Sequence, residues 1–288
     1  MPAPLALVIS THTTRHLART LAGAAALRPR PGHVVVTCDS DSSELGELIA
    51  ATAREHSLPV LRVMRPHQRA FRLAQVRNNA VRALRALAGP LPPETRLWFL
   101  DGDCCPCPGS ARAHLEAGAR AGLVIAHRID LTPAQTEAFD AAALARGRPP
   151  VEPAPAQWRA LRRRDRRYRR ALWLRRLGLA KPHKPKPLGA NHSVRLDALV
   201  AINGFDEEFE FYGCEDDDLG RRLYASGCRA AIAVAAAPVL HQWHPTSAPP
   251  AWSASRGAEL LRAPRPARCR LGLDCPAPQP EPSVVACS

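Results

Sequence analysis

Two aspartates separated by one glycine, Asp101 and Asp103, follow directly on the apolar run LWFL at residues 97–100. Carboxylates at the end of a buried strand suit a hard divalent cation, Mg2+ or Mn2+, which can bridge the phosphates of a diphosphate. Short D-x-D pairs are common by chance, so the apolar strand before this one gives it its weight. A second set, Glu215 to Asp218, puts four consecutive carboxylates at the start of a segment with helical spacing, its apolar side carried by Leu219 and Leu223. The plain reading is helix-start decoration, because the helix dipole favours acids there. Four adjacent like charges argue for a chemical role instead, and Gly213 with Phe209, Phe211 and Tyr212 would suit a wall against a sugar ring. Third, His241 and His244 stand three apart after an apolar run. As a pair they read most simply as structural, but imidazoles could complete the shell of a cation held by Asp101 and Asp103.

These residues need a scaffold, and the first hundred positions supply one. Apolar runs at LALVIS, HVVVT (33–37), 59–63 and LWFL alternate with helical spacing over 15–27, 44–56 and 72–87. Such alternation predicts a parallel sheet covered by helices, with ligands at the carboxyl ends of the strands. Thr11 follows the first strand, Asp39 and Asp41 the second, and Asp101 and Asp103 the fourth. A further strand is expected over 123–129. The first turn, THTTRH, has no glycine-rich phosphate loop. Dinucleotide and P-loop readings are therefore poor, and phosphates would be held by metal and basic side chains. That favours a sugar-nucleotide donor over ATP hydrolysis.

The chain has 288 residues, 46% hydrophobic and 23% charged, which excludes a wholly disordered protein. No apolar run approaches the ~18 residues needed to span a bilayer, and the start lacks the pattern of a secretory signal. Net charge is +14, but thirteen Lys/Arg against the single acid Asp165 lie between Arg159 and Lys186. A basic segment thus sits on a near-neutral body. The nine cysteines are an odd number and read as reduced thiols. Cys104, Cys105 and Cys107 form a tight group without a second pair, so packing is the better reading than zinc. Residues 249–288 are rich in Pro, Ala and Arg and are expected to be a disordered tail.

In this order the pieces resemble the family 2 glycosyltransferases of the GT-A fold, and the C-terminal half is similar to the galactosyltransferase C-terminal module. The resemblance rests on Ile9 to His12, Cys38 to Ser42, Val76 to Asn78, Asp101 to Asp103, Gly189 to Asn191, Gly204 to Asp216 and His241 to His244. It covers roughly residues 5 to 247, and the stretch GFDEEFEFYGCEDDDLGRRL is its most specific part. It implies one α/β domain over 1–248, a Rossmann-like mixed sheet flanked by helices, with a basic insertion at about 132–187. It further implies Asp103 as chief ligand of Mn2+ or Mg2+, with His244, Asp101 and His241 as the other candidates. Thr11, Asp39, Arg77, Asn78 and Asp101 would face the donor. Gly189, Asn191, Tyr212 and Asp217 would line the acceptor side, with Asp216 the catalytic base and Glu215 orienting the acceptor. Family members usually have an acid where Cys38 stands and a small residue or threonine where Asp41 stands.

The expected activity is metal-dependent, inverting transfer from a nucleotide-sugar, a UDP-sugar favoured, to a glycan, lipid-linked or cell-surface polysaccharide acceptor. The basic segment interleaves arginines with Trp158, Tyr168, Trp173 and several leucines. It reads as a solvated helix over the cleft, a contact with anionic membrane, or a binder of acidic glycan. The corresponding expectation for location is the cytoplasm, with peripheral contact at the inner face of the cell membrane. A nucleic-acid-binding protein is the rival from another class, but it leaves the two acid sets unexplained. A sugar nucleotidyltransferase would want the missing glycine-rich loop.

Overall fold

The structure, a computed structural model, describes residues 4–68, 71–87, 89–181, 183–210, 213–245 and 256–287. The elements begin with β1 (Leu5–Thr11), α1 (Leu17–Ala26), β2 (His33–Cys38), α2 (Ser43–Glu55), β3 (Val60–Met64), α3 (Leu73–Leu87) and β4 (Arg96–Asp101). There follow β5 (Cys104–Pro106), α4 (Ser110–Gly118), β6 (Leu123–Ile125), β7 (His127–Asp130), α5 (Pro133–Glu137), α6 (Ala141–Ala145) and α7 (Pro155–Arg176). The remainder is β8 (Asn191–Arg195), α8 (Leu196–Ala201), α9 (Glu215–Ala225), β9 (Ala230–Ile232), β10 (Pro238–His241), α10 (Arg256–Arg262) and β11 (Ser283–Cys287).

Eight strands form the main sheet, in the order β11-β3-β2-β1-β4-β8-β6-β9. β3, β2, β1 and β4 are parallel, as their alternation with helices requires, and every residue of β1 is buried because helices cover both faces. Side chains of each strand alternate between two cores. Ala6, Val8, Leu97 and Phe99 pack toward Ala80, Leu84 and Leu219, whereas Leu7, Ile9, Trp98 and Leu100 pack toward Leu17, Leu21 and Ile49. β8 then runs antiparallel to both β4 and β6, which makes the sheet mixed.

The single strand expected over 123–129 is in fact two. β6 pairs with β8 and β9, and after Ala126 the chain crosses so that β7 pairs with β10 in a second sheet, β5-β10-β7. That small sheet matters for the site, because its register sets His241 opposite both Cys104 and Asp130.

The expectation of a disordered tail is corrected for residues 256–287. β11 adds antiparallel to β3 at the sheet edge, Ala286 opposite Leu61. Between α10 and β11, Arg265 pairs with Asp206 and Glu208, Gln279 bonds Asn79, and the Ala277 amide donates to Glu207. Composition suggested disorder because this segment has little periodic apolar pattern; ion pairs and backbone pairing hold it instead. Tail residues 249–255 lie outside the described residues. Cys104, Cys105 and Cys107 are buried, and burial pushes the Cys107 thiol up to about 12 and the other two well above the ordinary value. They are protonated packing groups.

Candidate active site

β4 delivers Asp101, and the turn behind it delivers Asp103. A Cβ on Gly102 would lie 2.7 Å from both Cβ and Oγ1 of Thr11, so only glycine lets this turn press against the end of β1. Asp103 Oδ2 lies 3.0 Å from His244 Nε2 and 3.4 Å from His241 Nε2, while His241 Nδ1 is 2.9 Å from Asp130 Oδ1. One ligand atom each from Asp103, His241 and His244 falls within a 4.8 Å group. Burial pushes the Asp103 carboxyl up, yet the hydrogen bond and charge of His241 outweigh it and hold Asp103 down at about 2. Burial likewise disfavours a charged His241, but bonds to Asp103 and Asp130 raise it to about 9. The His241 ring bridges Asp103 and Asp130, a place where a divalent cation would need its neutral nitrogen, and the mixed oxygen and nitrogen donors suit Mn2+ better than the oxygen-preferring Mg2+.

These groups border a cleft of about 510 Å³ at the carboxyl ends of β1 and β4. Arg15 and Arg128 bring cations to it, and His12 and Phe71 form a ring wall with centroids 5.6 Å apart. Arg15, Arg128 and Phe71 were not singled out from the sequence, and His12 entered only as the end of the Ile9 to His12 piece. Arg128 becomes visible only once β7 is seen to lie beside β10, and THTTRH shows no pattern that marks His12 or Arg15. Thr11 lines the cleft, its hydroxyl donating to the Thr13 carbonyl at 2.9 Å.

Beyond Asp101 lies a second constellation. The Arg77 guanidinium has no exposure and sits 3.2 Å from Asp101 Oδ1, 2.9 Å from Asp216 Oδ1 and 3.4 Å from Glu215 Oε1. A Cβ on Gly189 would strike the Asp216 carboxylate and lie 2.8 Å from Arg77, so glycine leaves room for this ion pair. Burial, then the neighbouring Asp216 charge, pushes the Glu215 carboxyl up to about 8 despite Arg77. Its Oε2 is buried without a hydrogen-bond partner. The four consecutive acids of α9 part company as the helix turns. Glu215 and Asp216 meet Arg77, Asp217 meets Lys186 at 2.8 Å, and Asp218 meets Arg222 at 2.6 Å. Mere decoration of a helix start would leave them in water.

Several expected contacts are not made. Arg77 is walled in behind the acids and faces no open donor space. Asn78 is fully buried, donating to Phe205 O and Glu207 and accepting from the Phe205 amide, so it ties α3 to the chain before α9. Asn191 accepts from Trp98 Nε1 and bonds His114, while its amide donates to His127 O and Ala237 O, which leaves it nothing for an acceptor. Asp39 is also buried, with Arg65 at 2.7 Å and His67 at 3.2 Å; it anchors the loop that carries His67 and Phe71 to the cleft. Asp217 is committed to Lys186. Phe209 is buried against Cys214 and Ala258 and forms no sugar wall. Phe211 and Tyr212 lie outside the described residues.

A crystal structure of GalNAc-T7 with UDP, GalNAc and Mn2+ matches with a TM-score of 0.56 at 14% identity, covering 89% of this chain and 47% of that one. A crystal structure of S. aureus TarS matches with a TM-score of 0.51 at 12% identity, covering 83% of this chain and 37% of that one. The fold is that of the GT-A glycosyltransferases. The chain spans less than half the length of either structure. Residues 180–244 match a family model described as the N-terminal domain of galactosyltransferase. No curated protein sequence matches the chain. In this GT-A frame the matched segment contributes Gly189, Glu215, Asp216, His241 and His244, and the preceding strands contribute Thr11, Asp101, Asp103 and Arg128.

Proposed function

We propose that the chain is a metal-dependent, inverting glycosyltransferase. It takes a sugar from a nucleoside-diphosphate donor, in the first instance a UDP-sugar, and passes it to a hydroxyl of a glycan, lipid-linked or cell-surface polysaccharide acceptor. Motif order favours the family 2 enzymes within the GT-A fold. The observation that carries the reading is the arrangement about Asp101: the Asp103, His241 and His244 cluster lies on one side, and Arg77 links its carboxylate to Asp216 on the other. One end suits a leaving diphosphate and the other suits an attacking hydroxyl. The GalNAc-T7 structure, with UDP and Mn2+ bound to the same fold, supports this pairing.

Bound at Asp103, His241 and His244, Mn2+ or Mg2+ would neutralise charge developing on the departing diphosphate. Arg15 and Arg128 hold phosphate oxygens along the cleft, and His12 and Phe71 offer ring surface to the base. Of the two α9 acids on Arg77, Asp216 is the more accessible, at 23% side-chain exposure against 6% for Glu215. Paired with Arg77 at 2.9 Å, it accepts the acceptor hydroxyl's proton as that oxygen attacks the anomeric carbon in line. Glu215, its carboxyl pushed up by burial, stands beside Asp216 on the same arginine and is assigned to orient the acceptor.

The test is a panel of UDP-sugars with Mn2+, following UDP release and the anomeric configuration of the product by NMR. One sugar should turn over with inversion, and Asp216→Asn should lower turnover by about 10²–10⁴ while leaving UDP binding intact. Near-normal turnover in Asp216→Asn removes the base from the proposal.

A further inference from the structure

We propose that the outer face of α7 is a docking surface for an anionic lipid bilayer. α7 packs one side against the body of the protein through Leu161, Tyr168 and Leu172, with Asp165 buried on the same side. The opposite side carries Arg159, Arg162, Arg163, Arg166 and Arg170, all exposed and none with an acidic partner among the described residues. The one acid of the segment, Asp165, is already taken by Arg169 at 2.5 Å and by the Ala235 amide at 3.1 Å. Arg159 and Arg163, Arg162 and Arg166, and Arg166 and Arg170 are each four apart, a spacing at which like charges destabilise a helix. The anions that relieve them must come from outside the chain.

Charge alone would fit any polyanion. The apolar groups at the same place select a bilayer. Trp173, Leu177 and Leu179, on either side of Arg175 and Arg176 at the C-terminal end of the helix, are 57%, 53% and 71% exposed. Arg166, Arg170, Trp173 and Leu177 fall on one line along the helix, at steps of four, three and four residues. A helix with cations and large apolar side chains on one exposed line lies in a membrane interface, apolar groups in the acyl boundary and arginines at the head groups. A soluble acidic polymer has no use for exposed Leu177 and Leu179. No helix of the described residues is long and apolar enough to cross a membrane, so contact is with the surface. The strip also leads somewhere: beyond Leu179 the chain runs through Lys181, Lys184 and Lys186 to Gly189 beside Asp216, and Lys186 bonds Asp217. The inference does not depend on the catalytic reading, since its test reads only binding.

The experiment is flotation of the full chain with phosphatidylcholine vesicles, with and without phosphatidylglycerol, at low and high salt, and with soluble polyphosphate as a separate probe. The chain should float with the anionic vesicles only. Arg166→Gln with Arg170→Gln should weaken that binding about 25-fold, at about fivefold for each arginine near the surface. Trp173→Gln with Leu177→Gln, which adds no charge, should weaken it comparably while leaving polyphosphate binding unchanged. Blue-shifted tryptophan emission on vesicles should vanish in Trp173→Phe, which keeps the charge and the fold. Absence of flotation with anionic vesicles overturns the proposal. So does polyphosphate binding with vesicle binding indifferent to Trp173 and Leu177, which would give the face to a soluble acidic polymer.

Discussion

Replacing Arg77 with glutamine asks whether the acids around it form one electrostatic unit. The guanidinium is fully buried, within 3.4 Å of Asp101, Glu215 and Asp216. Arg77 offsets the burial that pushes the Asp101 carboxyl up and the Glu215 carboxyl up to about 8; without it the three acids lose the cation they share. Breaking a buried pair by removing one partner costs about 3–5 kcal/mol, because a charge is left uncompensated. The cluster can reduce that loss by keeping a further proton, which makes the cost depend on pH. A carboxyl whose folded pKa is raised contributes stability that is complete below its unfolded value and is lost as pH rises through its folded value. Arg77→Gln should therefore lose least at pH 5 and about 3 kcal/mol or more at pH 8. Urea unfolding followed by far-ultraviolet dichroism at both pH values gives the numbers. Adding Glu215→Gln to the variant should recover part of the loss at pH 8. A loss below about 1 kcal/mol, equal at both pH values, would refute the idea that Arg77 neutralises these acids.

Glu215→Gln alone should flatten the pH dependence of stability between the ordinary glutamate value of 4.5 and about 8, the interval over which the unfolded chain ionises and the folded one does not. The slope removed is at most about 1.4 kcal/mol per pH unit, read from denaturation midpoints at several pH values. Arg265→Ala should destabilise the protein by about 3 kcal/mol, since it strands the buried Asp206 and weakens the hold on Asp218; calorimetric melting checks this, and an unchanged midpoint would mean that the Arg265 ion pairs add nothing. His244→Ala should weaken Mn2+ binding at least tenfold while leaving the melting temperature near that of the parent, because the side chain is partly exposed and bonded mainly to Asp103.

The strands and their terminal acids were legible because a buried parallel strand announces itself as an apolar run, and Asp101, Asp103 and Asp39 follow such runs directly. The function of Asp39 was less legible. Its position after β2 is what a donor-binding acid would have, but Arg65 lies 26 residues further on, and only the fold shows that it fills that carboxylate. Asn78 and Asn191 mislead in the same way: amides in motif positions whose hydrogen bonds are all spent within the fold. The split between β6 and β7 was hidden because LVIAHRI keeps one strand-like composition while its two halves join different sheets. The order of residues 256–287 was hidden for the opposite reason. Its partners, Asp206, Glu207 and β3, are distant in sequence, and long-range ion pairs leave no local period.

The most direct test of the central claim is calorimetric titration of the protein with UDP, first with Mn2+ and then with EDTA, alongside Asp103→Ala. The expected result is UDP binding that requires Mn2+ and disappears in Asp103→Ala, whose melting temperature stays close to that of the parent. UDP binding of equal strength in EDTA, or undiminished in Asp103→Ala, would contradict a metal-held diphosphate at Asp103, His241 and His244.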